Sequence, residues 1–245
     1  MRTRTRERPG WWLDLALTCG FVVLTAALIR GHLLALDQRV AGWAFDHQPA
    51  PIYWTARILN YLGQGGQVLT PVSVLLTGLL LGRTRSVRAV LPFVAAFVLT
   101  YVTIGPLKIW ADRAAPRFEG PDKAVMFNPY AEGAKAMSYP SGHVANALVW
   151  YGVIALLVVA LVRRPLTRWE TFAIRVLPVA IVFATTVYTG FHWLTDSIAG
   201  LLLGLVLTRL LARVPWDAIP LPRLRGWERP AGLTPAARPP RASPA

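Results

Sequence analysis

Two short peptides of this chain combine histidine with residue types that commonly support it in catalysis. Residues 139–143 read Tyr-Pro-Ser-Gly-His, and residues 191–196 read Phe-His-Trp-Leu-Thr-Asp. They contain two of the four histidines of the chain, and each lies at the edge of a long apolar segment. Ionisable side chains are costly next to such segments, so their presence indicates that they take part in chemistry.

His192 and Asp196 are four residues apart, so on a helix they share one face. There the carboxylate can accept a hydrogen bond from one ring nitrogen, which leaves the other nitrogen with a lone pair for nucleophilic attack or proton transfer. The alternative is a pair that caps a helix, with His192 as a polar residue at the membrane surface. The spacing alone favours neither interpretation.

The Ser-Gly-His sequence at residues 141–143 is typical of a helix start that binds an anion. Pro140 sets the turn, Ser141 can cap the helix, and Gly142 allows a ligand close to the backbone. The free N–H groups at a helix start then favour a phosphate, and His143 can protonate a leaving oxygen. The alternative is an ordinary helix start with an incidental histidine.

Lys108 lies at the end of another apolar segment, where it can neutralise phosphate oxygens. A lysine at such a position can equally extend from a membrane helix towards water and pair with Asp112, one turn further on. This alternative is common, so Lys108 carries weight only together with the two peptides.

The elements that must position these residues are membrane spans. Of the 245 residues 54% are apolar and 16% are charged, and the mean hydropathy is +0.43. Six stretches approach the length of about 20 residues that a helix needs to cross a bilayer of about 30 Å. They are residues 11–29, 68–81, 90–105, 144–162, 176–188 and 197–211. The sequence therefore predicts an all-α, polytopic membrane protein with a bundle of six transmembrane helices.

The connection between the first two spans, residues 33–66, mixes charged and aromatic residues with apolar residues at helical spacing. We expect one or two helices there that lie in the membrane interface, with aromatic side chains at the level of the headgroups. The longest polar segment, residues 108–139, contains three prolines and two glycines and is expected to be a loop.

The distribution of Lys and Arg predicts the orientation. With the N-terminus in the cytoplasm, the inner segments are residues 1–10, 82–88, 163–175 and the chain from residue 208, and they hold 18 of the 26 basic residues. Such a cytoplasmic excess is characteristic of membrane proteins. Contact with anionic headgroups explains it better than nucleic-acid binding, for which no motif is present. The two peptides and Lys108 then meet at the outer face.

The chain is accordingly expected to have three parts. A basic cytoplasmic N-terminus at residues 1–10 precedes a membrane domain at residues 11–213. Residues 214–245 carry eight prolines and little apolar periodicity, so they are expected to form a disordered cytoplasmic tail.

Together these residues resemble the three-part signature of the type-2 phosphatidic acid phosphatase family. The first part, Lys-x6-Arg-Pro, corresponds to residues 108–116. The second, Pro-Ser-Gly-His, is complete at residues 140–143, and the third, Ser-Arg-x5-His-x3-Asp, corresponds to residues 185–196. The resemblance covers about residues 90–211, and the order, the spacing and the expected topology all agree with it.

Two arginines of that signature are absent here. Ala115 stands at the arginine of the first part and Thr186 at that of the third, and in the family both arginines bind phosphate oxygens. Arg113 is the first candidate to replace the arginine of the first part, because Pro116 disfavours helical geometry at the preceding residue and an early helix end leaves Arg113 free to turn inward. Further candidates on the same outer loop are Arg117, Lys123 and Lys135. Thr186 can offer the substrate a hydroxyl hydrogen bond but no charge.

The resemblance implies a metal-independent phosphatase that needs no cofactor. His192, oriented by Asp196, would form a phosphohistidine, and His143 would protonate the leaving group. The implied substrate-binding residues are Lys108, Arg113, Pro140, Ser141, Gly142 and Thr186.

The implied substrate is a lipid phosphate or diphosphate of the outer leaflet, such as a polyprenyl diphosphate, phosphatidic acid or phosphatidylglycerol phosphate. The preference for Arg over Lys, with abundant Ala and Pro, is typical of GC-rich bacteria and favours a bacterial plasma membrane. One alternative is a phosphotransferase of the same fold that passes the phosphoryl group to an alcohol. The other is a non-catalytic lipid-binding membrane protein that lost its activity with its two arginines.

Overall fold

The computed structural model describes residues 10–222 and 226–233, and the long elements within them are all helices. Nine α-helices follow one another in that part of the chain: α1 (Trp11–Ile29), α2 (Leu34–Asp46), α3 (Ala50–Leu59), α4 (Thr70–Thr84), α5 (Leu91–Ala111), α6 (Gly142–Val162), α7 (Arg168–Arg175), α8 (Leu177–Tyr188) and α9 (Leu194–Arg213). Short 3-10 or π turns follow α3 and precede α4 and α5 (Asn60–Gly63, Gly65–Leu69 and Val87–Val90).

Six helical segments in the described residues are long and apolar enough to cross a membrane. They are Trp11–Ile29, Gly65–Thr84, Val87–Ala111, Gly142–Val162, Arg168–Tyr188 and Leu194–Arg213. Each of them contains one of the six stretches that hydropathy predicted. The expected all-α architecture with six transmembrane helices is therefore confirmed.

The fifth span begins at Arg168, although its hydropathy predicts that this residue lies in a cytoplasmic loop. The hydroxyl of Thr167 accepts the N–H of Glu170 at 3.2 Å, and the Glu170 carboxylate accepts the N–H of Thr167 at 2.8 Å. This capping box starts α7. Pro178 lies in the first turn of α8 and lacks an N–H, so the helix is interrupted at Val176. The charged residues in the first turn of α7 lower its mean hydropathy, so hydropathy alone does not predict it as part of a membrane span.

The central helix of the bundle is α6. Buried residues make up 56% of an apolar 18-residue stretch of α6, compared with 17% of the corresponding stretch of α1. Two glycines of α9 allow a close approach to α6: a Cβ on Gly200 would lie 2.5 Å from the carbonyl oxygen of Ser141, and one on Gly204 would lie 3.0 Å from the Cα of Ala145. Small residues commonly permit such packing between membrane helices. The contact places the start of α6 beside the start of α9, where the two histidine peptides lie.

The same end of the bundle is covered by α2 and α3, the helices expected between the first two spans. α2 packs against α8 and α9, and α3 packs against α8. Asp37 of α2 is fully buried, whereas Trp43 and Trp54 expose 59% and 60% of their surface. Tyr61 is exposed and Tyr53 is partly exposed, so this set of aromatic side chains can contact a membrane interface.

The described part of the C-terminal segment, residues 214–222 and 226–233, packs against the bundle, whereas a disordered tail was expected for residues 214–245. Trp216 and Leu233 are buried in the main apolar core together with residues of α6 and α9. The hydroxyl of Ser86 donates a hydrogen bond to the carbonyl oxygen of Arg229. The prolines disfavour a long helix here, but the buried side chains of Trp216 and Leu233 hold the segment against the bundle. Residues 1–9, which include nearly all of the basic N-terminus, and residues 223–225 and 234–245 lie outside the described part of the chain.

Candidate active site

A cavity of about 400 Å³ opens at the end of the bundle where α6 and α9 begin, called the site end below. Its walls come from the turn before α4, the end of α5, the segment before α6, the start of α6 and the turn before α9. The residues that line it are Gly63, Gln64, Gly65, Lys108, Ala115, Met137, Ser138, Gly142, His143, Asn146, Phe191 and His192. The cavity thus brings together both histidines and the lysine that the sequence singled out.

His192 lies buried in the turn between α8 and α9. Its Nδ1 is 2.8 Å from the carbonyl oxygen of Ser138, which only accepts hydrogen bonds, so Nδ1 carries the proton. Nε2 therefore keeps its lone pair, and it lies 3.2 Å from Nδ1 of His143. Burial lowers the pKa of His192 below its ordinary value, so the ring is neutral near pH 7. His192 has the protonation state that a nucleophile requires.

Asp196 does not accept a hydrogen bond from His192, in contrast to the expected arrangement. His192 Nδ1 and Asp196 Oδ2 are 3.8 Å apart, because α9 begins only at Leu194 and His192 precedes the helix. Asp196 Oδ2 instead accepts the hydroxyl of Ser138 at 2.5 Å and the N–H of Trp193 at 2.9 Å. The carboxylate therefore orients His192 through Ser138, whose carbonyl oxygen accepts the ring proton, and through the turn itself.

His143 lies in the first turn of α6 and faces His192. Nδ1 of His143 can donate its proton to Nε2 of His192, and the His143 ring lies nearly parallel to that of Phe191, with 6.1 Å between the ring centroids. Nε2 of His143 is buried and has no hydrogen-bond partner among the described residues. An Nδ1–H that points at the nucleophile becomes available to a leaving oxygen when a phosphoryl group enters between the two rings.

Lys108 and Gly142 lie against each other at the cavity wall. A Cβ on Gly142 would lie 3.1 Å from Cε and 3.8 Å from Nζ of Lys108, so a larger residue at position 142 would displace the end of the lysine from the N-terminus of α6. Nζ of Lys108 donates a hydrogen bond to the carbonyl oxygen of Met137. A cation beside free backbone N–H groups is suited to a phosphate.

Pro140 and Ser141 lie directly before the first residue of α6. Both are buried, and neither lines the cavity. The hydroxyl of Ser141 accepts the N–H of Val144 at 3.4 Å, which is the helix cap that the sequence predicted. Its hydroxyl is thus engaged in the cap and does not face the cavity, where the sequence had placed Ser141 among the substrate-binding residues.

Arg113 turns inward, as the early helix end predicted, but it does not line the cavity. α5 ends at Ala111, and Asp112 adopts a left-handed conformation with φ of 42°. The fully buried guanidinium then donates to Asp37 Oδ2 at 2.7 Å and to Asp196 Oδ1 at 2.6 Å. Arg113 therefore holds two carboxylates, whereas the sequence analysis expected its guanidinium to face a phosphate.

The network around Arg113 links α2 to the nucleophile. Asp37 accepts the N–H of Thr195 at 3.0 Å and its hydroxyl at 2.5 Å. Burial opposes a charge on Arg113, but the carboxylates of Asp196 and Asp37 outweigh it and raise the pKa of Arg113. The order of contacts from α2 inward is thus Asp37, Arg113, Asp196, Ser138 and His192.

The two positions that carry arginine in the family signature offer no charge here. Ala115 lines the cavity with a methyl group. Thr186 is fully buried, does not line the cavity, and donates its hydroxyl to the carbonyl oxygen of Val182 at 2.8 Å. The hydroxyl of Thr186 is satisfied within its own helix and does not face the cavity, so the structure lends no support to the substrate contact that the sequence suggested.

Several residues of the site were missed by the sequence analysis. Asn146 lines the cavity one turn after His143, and an isolated amide in an otherwise apolar helix is the signal that could have identified it. Ser138 and Gln64 carry no such signal, because ordinary loop residues surround them. Asp37 is one of several charged residues between the first two spans, and only the fold shows that it is buried.

The fold and the site define a multi-pass helical membrane protein with a histidine pair at one end of its bundle. The family model of the PAP2 superfamily matches residues 89–220, which is more than half of the chain. The chain belongs to this superfamily, as its resemblance to the type-2 phosphatidic acid phosphatases indicated.

A solved structure with the same fold is the first transmembrane PAP2-type phosphatidylglycerolphosphate phosphatase from Bacillus subtilis. The two chains are 22% identical, the TM-score is 0.66, and the match covers 82% of this chain and 94% of the other. A comparison with curated protein sequences finds no match. The similarity establishes the fold, and the chemistry has to be inferred from the site.

Proposed function

We propose that this protein is an integral membrane phosphatase that hydrolyses a lipid phosphate or lipid diphosphate through a phosphohistidine on His192. The observation that carries the proposal is the histidine pair, in which the lone pair of His192 Nε2 lies 3.2 Å from Nδ1 of His143 at the wall of an open cavity. Membership of the PAP2 superfamily supports a phosphatase.

In the first step the phosphate of the substrate displaces the hydrogen bond between the two rings. Nε2 of His192 attacks phosphorus and forms an N–P bond, while the bond from phosphorus to the leaving oxygen breaks. The proton on Nδ1 of His143 passes to that oxygen, so a neutral alcohol, or a lipid monophosphate from a diphosphate, departs. The proton on Nδ1 of His192 stays shared with the carbonyl oxygen of Ser138.

In the second step water attacks phosphorus from the side that the leaving group vacated. His143 Nδ1, now unprotonated, accepts a proton from the water as the new P–O bond forms. The N–P bond breaks, its electron pair returns to Nε2 of His192, and inorganic phosphate leaves. Lys108 and the N–H groups at the start of α6 stabilise the charge on the phosphoryl oxygens in both steps. The cycle needs no metal ion.

The membrane supplies the substrate. The site end has exposed tryptophans on α2 and α3, which suit the headgroup level, and the excess of basic residues at the opposite end favours an outward-facing site in a bacterial plasma membrane. A polyprenyl diphosphate, phosphatidic acid and phosphatidylglycerol phosphate all present a phosphate at that depth.

The activity is tested by phosphate release from these lipids in detergent, with a chelator and without added metal. His192→Ala should abolish release, and His32→Ala should not, because His32 is exposed and does not line the cavity. Release that persists in His192→Ala refutes the nucleophile. A phosphorylated alcohol in place of free phosphate identifies a phosphotransferase, and neither product from any lipid identifies a binding protein.

The orientation is tested in intact cells with a membrane-impermeant thiol reagent, in a Cys19→Ser background. Glu119→Cys lies in the exposed loop after α5 and should be labelled, whereas Arg83→Cys at the opposite end should react only after the membrane is opened. The reverse labelling would place the site in the cytoplasm.

A further inference from the structure

The site lacks the two signature arginines, so the cations near the cavity need to be accounted for. Ala115 and Thr186 bring no charge. Arg113 uses its guanidinium on two carboxylates. Arg117 donates its Nε–H to the carbonyl oxygen of Thr189 at 2.5 Å and stacks on two aromatic rings of α2 and α3. Neither arginine faces the cavity.

Arg57 of α3 is engaged in a different way. Its guanidinium carbon lies 4.7 Å from the centroid of the Phe191 ring and 6.0 Å from that of Tyr53. Among the described residues its guanidinium has no hydrogen bond and no ion pair, and the side chain is partly exposed. Phe191 lines the cavity and stacks on His143, so the guanidinium contacts a ring of the cavity wall, although Arg57 itself is not among the residues that line the cavity.

The stacking leaves the hydrogen-bond donors of Arg57 available. A guanidinium that packs on an aromatic ring uses its face, whereas its five N–H donors lie in its plane. These donors form a fixed fork that matches two oxygens of a phosphate. A stacked guanidinium without a carboxylate neighbour is therefore held in position and remains ready for an anion.

The helix that carries Arg57 is fixed relative to the histidine pair. Asn60, directly after α3, accepts the hydroxyl of Thr185 at 3.3 Å. Gly63 follows, and a Cβ there would lie 3.2 Å from Cβ of His143, so the backbone after α3 touches the proposed general acid. Phe191, on which Arg57 packs, directly precedes His192. The guanidinium is thus part of the site's framework and does not lie on an independent surface.

We propose that Arg57 binds the phosphate of the substrate at the edge of the cavity and supplies, from α3, charge that residues 115 and 186 lack. This rests on the proposed function of the same site. Lys108 and the start of α6 hold the phosphate on one side, and Arg57 approaches from the side of Phe191. The residue lies outside the region that the family model matches, residues 89–220.

The decisive variant is Arg57→Gln, which keeps a planar head on the Phe191 ring and removes the charge. Losing one charge-assisted hydrogen bond to phosphate should raise KM by about tenfold to a hundredfold, with a much smaller change in kcat and an unchanged Tm. Arg57→Ala should give the same rise in KM. The matched control is Arg39→Ala, an exposed arginine of α2 that bonds only a carbonyl oxygen of its own helix and should leave KM unchanged.

A direct binding measurement separates this proposal from the proposed function. Calorimetric titration of inorganic phosphate into the full-length protein in detergent should give a Kd that rises by a similar factor in Arg57→Gln and not in Arg39→Ala. That result supports the role of Arg57 even when no lipid is hydrolysed. Unchanged KM and unchanged phosphate affinity in Arg57→Gln overturn it, and so does a lower Tm with unchanged phosphate affinity, because Arg57 would then only pack the interfacial helices.

Discussion

Replacing Arg113 by methionine distinguishes two roles for this residue. Methionine keeps a long unbranched side chain and removes the guanidinium. If Arg113 bound phosphate, as the sequence suggested, Arg113→Met would raise KM and leave the fold intact. In the structure its four hydrogen bonds go to Asp37, Thr195, Asp196 and the carbonyl oxygen of Ala124. The variant should therefore act on stability and on the orientation of His192.

The size of the effect follows from the burial of the two carboxylates. Both Asp37 and Asp196 are fully buried and lie 2.7 and 2.6 Å from the guanidinium. Removing one partner of a buried ion pair typically costs about 3–5 kcal/mol, because a charge is left without a partner. Protonation of one carboxylate removes part of the repulsion between the two. We therefore expect the free energy of unfolding to fall by about 3–5 kcal/mol and not by twice that amount. For a protein of this size that corresponds to a fall in Tm of roughly 6–20 °C.

The measurement is tryptophan fluorescence against temperature in detergent, together with kcat and KM below the lowered Tm. Arg113→Met should lower kcat and leave KM nearly unchanged, because Lys108 and the α6 N-terminus keep their geometry. Asp37→Asn should also be destabilising. The double variant should lose less stability than the sum of the two single variants, by about 1 kcal/mol or more, because one unpaired charge is removed with the other. Arg39→Met serves as the exposed control.

A wild-type Tm combined with a raised KM in Arg113→Met would refute this reasoning. It would mean that the guanidinium leaves the carboxylates to contact substrate and that the buried network contributes nothing to the free energy of unfolding. Strict additivity of Arg113→Met and Asp37→Asn would also contradict the network, since residues in direct contact are expected to couple.

Three further perturbations follow from the site. Burial lowers the pKa of His192, so the acid limb of the kcat/KM profile should lie below pH 6.5. The charge of Asp196 raises this pKa, so Asp196→Asn should move the acid limb to lower pH. The charge of Lys108 lowers it, so Lys108→Met should move the acid limb to higher pH. Gly142→Ala should raise KM severalfold at unchanged Tm, because the one tight contact of the new methyl group is with the flexible end of Lys108. An unchanged KM would contradict the phosphate site at this helix start. Gly200→Ala should lower Tm by several degrees and lower kcat, because its Cβ would lie 2.5 Å from a backbone oxygen of α6; a neutral result would show that the two helices can separate freely.

The membrane fold could be predicted from the sequence because a bilayer imposes length and hydropathy on each span directly. The predictions failed where a local interaction overrides composition. The capping box at Thr167 starts a helix with a charged first turn. The proline-rich segment after α9 is anchored by Trp216 and Leu233, two apolar residues too far apart to form a periodic pattern.

The site could be predicted in part for a similar reason. His143, His192, Gly142 and Lys108 belong to local motifs, and the fold brings all four to one cavity. Contacts that join distant parts of the chain could not be inferred, because they depend on how the helices pack. The bond between Arg113 and Asp37, 76 residues apart, is one of them.

The geometry of Arg113 explains why the cavity needs a cation from elsewhere. A guanidinium has five N–H donors in one plane, and four hydrogen bonds already hold that plane among carboxylates, a hydroxyl and a carbonyl oxygen. The same group cannot bind a phosphate at the cavity wall without releasing Asp196, and with it the support of Ser138 beneath His192. Under the proposed function, the charge for the substrate is then expected to come from Lys108, the start of α6 and Arg57 of α3. Substrate preference is therefore expected to follow changes at Arg57 and its stacking partner on the cavity wall more closely than changes at positions 115 and 186.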